Sequence, residues 1–381
     1  MRSYNTSKHV GSIDVLKFLL AIVIVLLHAG QQFGGEEYHL AMGGIAVEAF
    51  FVISGCLMCM SAKKAETRSD GSPEALGTET VQFLWKKIRE LLVPYLIILI
   101  IYLICWYHTT GSNIAADEGV DVMLRGLFSL IPNMAFLSMS GILMDETLLM
   151  ITWYISAMLL SMLIIYPLLR HYGKNYTLIA APAVSLLLMG FMYHTSGDLY
   201  KGVTRFLVFM PQGLMRAFIA INLGCIAYEL SLKLRKACLT LLSRTLLTVS
   251  VILLCLITFL IMEYGTEHEC YTLTLLYPIL IGILFSGKIT GNELLNNRLS
   301  TYLGKASLYI YFYHIAIRKV LIISGLNVSY AQASVIMLLG AFIMFILTDF
   351  LQHTTKSLLQ KYHIRLSALF IRSDADQSAS V

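Results

Sequence analysis

The residues of this chain that can do chemistry are charged or nucleophilic groups set inside long apolar runs. The first group is Asp14, Lys17 and His28, in the run IDVLKFLLAIVIVLLH. Lys17 and His28 are eleven residues apart. A helix would project both from one face, with the imidazole roughly 16 Å beyond the ammonium. A neutral imidazole can serve as general base or relay near neutral pH. The plainer reading is an Asp14–Lys17 pair near an interface, with His28 marking the other boundary. The second group is Glu48 in GGIAVEAFFVISGCLM, followed by Ser54 and Gly55. A carboxylate in such a run needs a partner, and His28 is the expected one, giving an acid–imidazole pair of the kind found in triads. Solvation of Glu48 at an outer interface is the alternative.

Arg205 and Arg216 are also eleven residues apart and read as one face of a helix. Guanidinium suits phosphate or carboxylate because its planar fork binds two oxygens. A structural salt bridge from Arg216 to Glu48 or Glu229 fits the spacing as well. Ser307, Tyr311 and His314 fall at i, i+4 and i+7 in KASLYIYFYHIAIRK, one helical stripe that Arg318 continues. A polar stripe through the middle of an apolar helix should face a cavity; interfacial aromatics are the alternative. Ser54 and Ser307 lack the G-x-S-x-G surroundings of an activated serine. His28, His314 and Glu48 show no metal-ligand spacing, so no metal is expected.

The elements that must position these groups are membrane spans. Residues AVILMFWYC make up 57% of the chain and charged residues 13%. A soluble fold of this size cannot hide that much apolar surface, whereas a bilayer tolerates it. The fold class expected is all-α, a polytopic membrane bundle of about ten helices of roughly 20 residues each. The predicted spans are 13–30, 41–61, 91–107, 148–169, 176–193, 207–230, 246–262, 271–287, 299–323 and 331–351. Segment 122–140, broken by Pro132 and charged by Arg125, reads as an interfacial or re-entrant piece. Residues 9–352 form a single membrane domain. Residues 353–381 form a basic tail, partly disordered. Residues 62–82 read as a polar loop.

Basic residues crowd one side of this topology, among them Lys63, Lys64, Lys86, Lys87, Arg89, Arg170, Lys174, Lys233, Arg235, Lys236, Lys288 and Lys305. The other side has Arg125, Lys201 and Arg205, with acids such as Glu36, Glu263, Glu267 and Glu269. The bias predicts both termini in the cytoplasm. It gives no nucleic-acid footprint, since the cations are spread over loops. The cysteines lie mostly within spans and imply no disulfide framework.

In this order the clusters resemble the acyltransferase-3 family of bacterial membrane acyltransferases, over about residues 9–350. The family opens with a basic residue, ten residues and a His, here Lys17 to His28; Lys17 stands where Arg is frequent. The segment Ala46 to Gly55 is similar to its G-V-[DE]-x-F-F-V-x-S-G motif. KKIRELLVPY is similar to a basic stretch ending in Pro-Tyr. Trp153-Tyr154-Ile155-Ser156-Ala157 is similar to W-Y-x-S-A, and Ser307, Tyr311 and His314 match S-x-x-x-Y-x-x-H.

The resemblance implies a multi-pass protein of the cytoplasmic membrane. It implies transfer of an acyl group, acetyl by expectation, from acyl-CoA to a hydroxyl of an envelope carbohydrate, with no bound cofactor. The expected roles are His28 as base or acyl relay and Glu48 as its orienting acid. Lys17, Arg216 and Arg205 would hold the donor or oxyanion, and Ser307, Tyr311, His314, Trp153 and Ser54 would line the acceptor cavity. The rival class is a transporter or flippase of an envelope precursor, whose intramembrane charges would line a path. The expected partners are acyl-CoA, the carbohydrate and the lipid bilayer.

Overall fold

Inside hydrocarbon every backbone N–H and C=O must be satisfied within the segment, so long apolar runs become helices. The computed structural model describes residues 10–35, 38–67, 72–111, 119–128, 131–141, 152–199 and 202–378. It is a helical bundle. Helix α1 spans Gly11–Phe33, α2 spans Ala46–Ala65 after a 3-10 turn at Gly43–Ile45, and α3 spans Pro73–Trp106. Two short helices follow, α4 (Val120–Phe128) and α5 (Ile131–Met134). Then come α6 (Thr152–Asn175), α7 (Ala181–Ser196), α8 (Gln212–Lys236), α9 (Leu241–Tyr264) and α10 (Glu267–Ser286). The one-turn α11 (Asn292–Leu295), α12 (Arg298–Ser324) and α13 (Tyr330–Ser378) complete the chain.

Among the described residues nine helical stretches are long and apolar enough to cross a membrane, and one of them, Thr152–Ser196, is 45 residues long. At 1.5 Å per residue that is about 68 Å, far more than the roughly 30 Å of hydrocarbon, so it must cross twice. The reversal is at Gly173, whose φ of 51° is left-handed and whose ψ of −123° is not helical. Contacts with α8 confirm the turn. Trp153 meets Arg216 near the start of α8, Thr177 bonds Glu229 near its far end, and Gln212 at the start again bonds Asp198. Thus α6 and α7 run in opposite directions along α8, which makes ten passes, as expected.

All ten passes alternate between two ends. One end carries Lys63, Lys64, Lys174, Lys233, Arg235, Lys236 and Lys288; the other carries the acidic turn with Glu263, Glu267 and Glu269. They are called the basic end and the acidic end below.

Close helix contacts set the arrangement. Gly55 of α2 lies against the Ile221 carbonyl of α8, and Gly224 of α8 lies against the Val52 carbonyl of α2; a Cβ on either glycine would overlap backbone. Small residues permit such approach in membranes. On the other side of the bundle α1 packs on α12, with Asp14 against Gly304. Helices α2, α8 and α10 are central; α9 and the start of α13 are peripheral.

Two elements differ from the sequence expectation. Helix α3 begins at Pro73, capped by the Ser72 hydroxyl, so residues 73–82 of the expected polar loop are helical and the KKIR stretch after them lies on the same helix. Arg170 of α6 grips Glu79 of this extension through Nε (2.6 Å) and Nη2 (2.9 Å), which holds it over the basic end. Helix α8 starts at Gln212 rather than 207, because residues 206–211 form a hairpin pairing Phe206–Leu207 (β1) with Met210–Pro211 (β2). Helix α13 runs on through residues 353–378. Among its described residues the 122–140 segment contains only short helices, and it packs inward through Asn133 and Phe136 against Tyr95 of α3.

Candidate functional site

A cavity of about 890 Å³ lies among α1, α2, α3, α6, α12 and α13, toward the basic end. Its mouth is cationic: Lys17 of α1, Lys86, Lys87 and Arg89 of α3, and Lys305 of α12. Lys17 pairs with Asp14 at 2.6 Å, Lys87 with Glu90 at 3.7 Å, and Lys305 with Asp349. Lys86 and Arg89 have no ion-pair partner among the described residues, so the mouth is net positive. Deeper, the wall turns apolar with Ile53, Leu57, Ile155, Met158 and Met162, interrupted by the hydroxyls of Ser54, Tyr154, Ser307 and Tyr311. A polar mouth on an apolar shaft suits a ligand with an anionic head and an apolar arm.

The cavity ends at three rings. Phe50, Tyr154 and Tyr311 all line it, and each is its wall residue nearest, or within one residue of, the acidic end on its own helix. The Tyr154 and Tyr311 rings meet edge-on at 5.3 Å between centroids, and Phe50 lies 6.2 Å from Tyr311. Ser54 Oγ is 3.4 Å from the Tyr154 hydroxyl.

Beyond the rings lie two charged or polar pairs. His314 follows Tyr311 by one turn of α12, its centroid 6.0 Å from the tyrosine's. It is fully buried, and it stacks on His28 of α1 at 5.4 Å with 23° between planes. His314 Nδ1 is 2.9 Å from the Ile310 carbonyl, which can only accept, so Nδ1 carries the proton. His314 Nε2 then presents a lone pair, and it has no hydrogen-bond partner among the described residues. His28 is half-buried; its Nδ1 lies 3.0 Å from Gln31 Oε1 and donates to it, which likewise leaves Nε2 basic. The second pair is Glu48 and Arg216, joined Oε1 to Nε at 2.6 Å, with both side chains at most 2% exposed. The guanidinium also lies 5.0 Å over the Trp153 ring.

The bundle brings the expected residues together in two groups. Lys17, Ser54, Ser307 and Tyr311 line the cavity; His28, His314, Glu48, Arg216 and Trp153 lie past its end. Two expectations are corrected. Glu48 is not on His28: α2 faces α8 and α1 faces α12, so the carboxylate meets Arg216 and the imidazole meets His314. Arg205 does not share a helical face with Arg216. It sits exposed in the turn leading into the hairpin, where its backbone bonds Gly202 and Gln212, and helical spacing does not apply there.

Residues that sequence reasoning left out of the site are Tyr154, Phe50, Gln31 and the α3 cations. Tyr154 and Phe50 stood inside quoted motifs, next to Trp153 and Phe51. Gln31 was signalled only by its i+3 spacing from His28. The α3 cations were read as a basic stretch ahead of a span, which did not reveal their position over the cavity.

Comparison with curated proteins and with solved structures finds no match. A family model does match, that of the acyltransferase domain, and it runs over residues 10–351, from the start of α1 through the membrane part of α13. That span includes the cavity, the aromatic floor and both buried pairs, and the chain therefore belongs to the acyltransferase-3 family of membrane acyltransferases.

Proposed function

We propose that this protein transfers an acyl group, acetyl in the simplest case, from acyl-CoA to a hydroxyl of an envelope carbohydrate. The observation that carries the reading is the shaft itself: a cationic mouth leads through an apolar wall toward a buried imidazole whose Nε2 is unshared. The CoA phosphates would lie at Lys17, Lys86, Lys87, Arg89 and Lys305, and the pantetheine arm would follow the apolar shaft. The excess of basic residues at that end supports a cytoplasmic orientation for it, where acyl-CoA is made, and with it a cytoplasmic side for both termini.

The acceptor approaches from the acidic end, where His28 is half-exposed. His28 Nε2 takes the hydroxyl proton as the acceptor oxygen attacks the thioester carbonyl. A C–O bond forms and the C–S bond breaks. The proton passes to the departing thiolate, so thioester and alcohol become ester and thiol. His314 stacks beneath the base, and its Nδ1–H, held by Ile310, keeps its second nitrogen free to receive a proton. Glu48 and Arg216 act as a fixed pair that supports the wall under Trp153.

The test is transfer of radiolabelled acetyl from acetyl-CoA to envelope glycan in membranes holding the wild type, His28→Ala or neither. Label appearing only with the wild type supports the reading. Equal label in all three would reject it, and transport of an envelope precursor by the same membranes would then favour the transporter class.

A further inference from the structure

The cavity and the imidazole pair belong to one proposed reaction, yet they do not communicate. Tyr311 lies between them on α12: its ring lines the cavity, and His314 is one turn beyond. Tyr154 closes the remaining gap from α6, with its edge against Tyr311. His314 is completely buried and is not part of the cavity wall. Its unshared Nε2 is a buried polar atom with nothing to bond among the described residues. Such an atom is costly unless something reaches it at some stage of the protein's work.

We infer that Tyr154 and Tyr311 form a shutter between two substrate chambers, and that the donor's acyl end meets the imidazoles only when these rings part. The inference rests on the proposed acyl-CoA chemistry for its purpose, but the partition itself is a property of the fold. The two rings are held by contact rather than by strong hydrogen bonds. The Tyr154 hydroxyl has only the 3.4 Å approach to Ser54, and the Tyr311 hydroxyl has no hydrogen-bond partner among the described residues. Rotation of either side chain therefore breaks ring contacts, such as Tyr154 on Phe51 at 4.5 Å, but no strong hydrogen bond. The closed state also has a clear use: it keeps water at the acidic end away from a thioester waiting in the shaft.

The shutter is testable without any acyl transfer. The protein is placed in sealed vesicles, and a membrane-impermeant methanethiosulfonate is added from outside. Native Cys238, exposed at the basic end between α8 and α9, reports which vesicles present that end. Cys255, the other exposed cysteine, is replaced by serine. Ser307→Cys then probes the cavity, and His314→Cys probes the space behind the rings. The cavity position should label readily in every background. Position 314 should label slowly with both tyrosines present. It should label at least about tenfold faster when Tyr154→Leu or Tyr311→Leu is added, and not faster with either Phe variant, which keeps the ring.

Two results would overturn the inference. One is rapid labelling at 314 with the tyrosines intact, which needs no second variant to interpret. The other is slow labelling that neither Leu change accelerates. The two Leu changes lie on different helices, so loss of one variant to misfolding leaves the other as the test. Failure of acetyl transfer by the wild type would reject the proposed function and leave this result standing.

Discussion

His28 and His314 stack face to face, 5.4 Å apart, although one lies near the start of the chain and the other near its end. Each ring uses Nδ1 locally, His28 on Gln31 and His314 on Ile310, so each offers its Nε2. Among the described residues neither ring is paired with a carboxylate, so each neutral imidazole keeps a nitrogen able to accept a proton.

From this pairing, loss of the His28 ring should remove general-base catalysis and loss of the His314 ring should weaken it. His28→Ala should lower kcat by about 10²–10⁴-fold, the usual worth of a positioned base. His314→Ala should also lower kcat, by a smaller factor, because His28 keeps its own bond to Gln31. Both should leave the KM for acetyl-CoA close to the wild-type value, since neither ring lines the cavity. Initial rates against acetyl-CoA concentration in nanodiscs provide the check. A large rise in KM with unchanged kcat in either variant would refute this assignment.

The Glu48–Arg216 pair lies wholly inside the bundle, and there a single substitution should be far worse than two. Glu48→Gln removes the carboxylate that lies 2.6 Å from the buried guanidinium and should destabilise the protein by about 3–5 kcal/mol. Adding Arg216→Met to the same chain removes the buried guanidinium as well and should recover most of the loss. Midpoints of denaturant unfolding in detergent would measure both. If the double variant is no more stable than Glu48→Gln alone, the pair is not the coupled unit described.

The cations over the cavity mouth predict a different kinetic signature. Lys86→Ala with Arg89→Ala should raise the KM for acetyl-CoA by about tenfold and leave kcat almost unchanged, as expected for binding equal in ground and transition states. The difference from wild type should shrink at high salt, because these side chains are exposed and screened. An acetyl-pantetheine thioester, which lacks the nucleotide phosphates, should be used equally by both proteins. A KM for that thioester that also rises would show that the cations act on something other than phosphate.

Much of this arrangement was legible in the sequence, and what was not has an identifiable cause. Membrane spans announce themselves because lipid imposes length and apolarity on each one separately. The His314–Tyr311–Ser307 stripe was readable for the same reason: it lies on one helix, where spacing determines the face. Glu48 was harder. Spacing showed that it needed a partner, but the choice between His28 and Arg216 depended on which helices touch. The close contacts of Gly55 and Gly224 decide that by pressing α2 against α8. Arg205 was misplaced because a short hairpin, rather than helix, precedes Gln212. Lys86 and Arg89 were hidden because a polar helix projecting beyond the membrane has no hydropathy signal.

The α2–α8 contact supplies the last prediction, since it governs where Glu48 and Arg216 meet. A methyl group at Gly224 would overlap the Val52 carbonyl and the backbone of Gly55 and Cys56, none of which can rotate aside. Gly224→Ala should therefore push the helices apart and cost about 1–3 kcal/mol, the usual penalty of overpacking. The damage should reach the site, because separation of α2 from α8 lengthens the 2.6 Å bond between Glu48 and Arg216 and loosens Trp153 above it. Gly190→Ala on α7, where nothing lies within 4 Å of the added carbon, is the matched control and should be neutral or slightly stabilising. Unfolding midpoints and acetyl transfer would be measured for both variants. Gly224→Ala should lose stability and activity together while Gly190→Ala keeps both; equal behaviour of the two would mean that the glycine contact does not set the site.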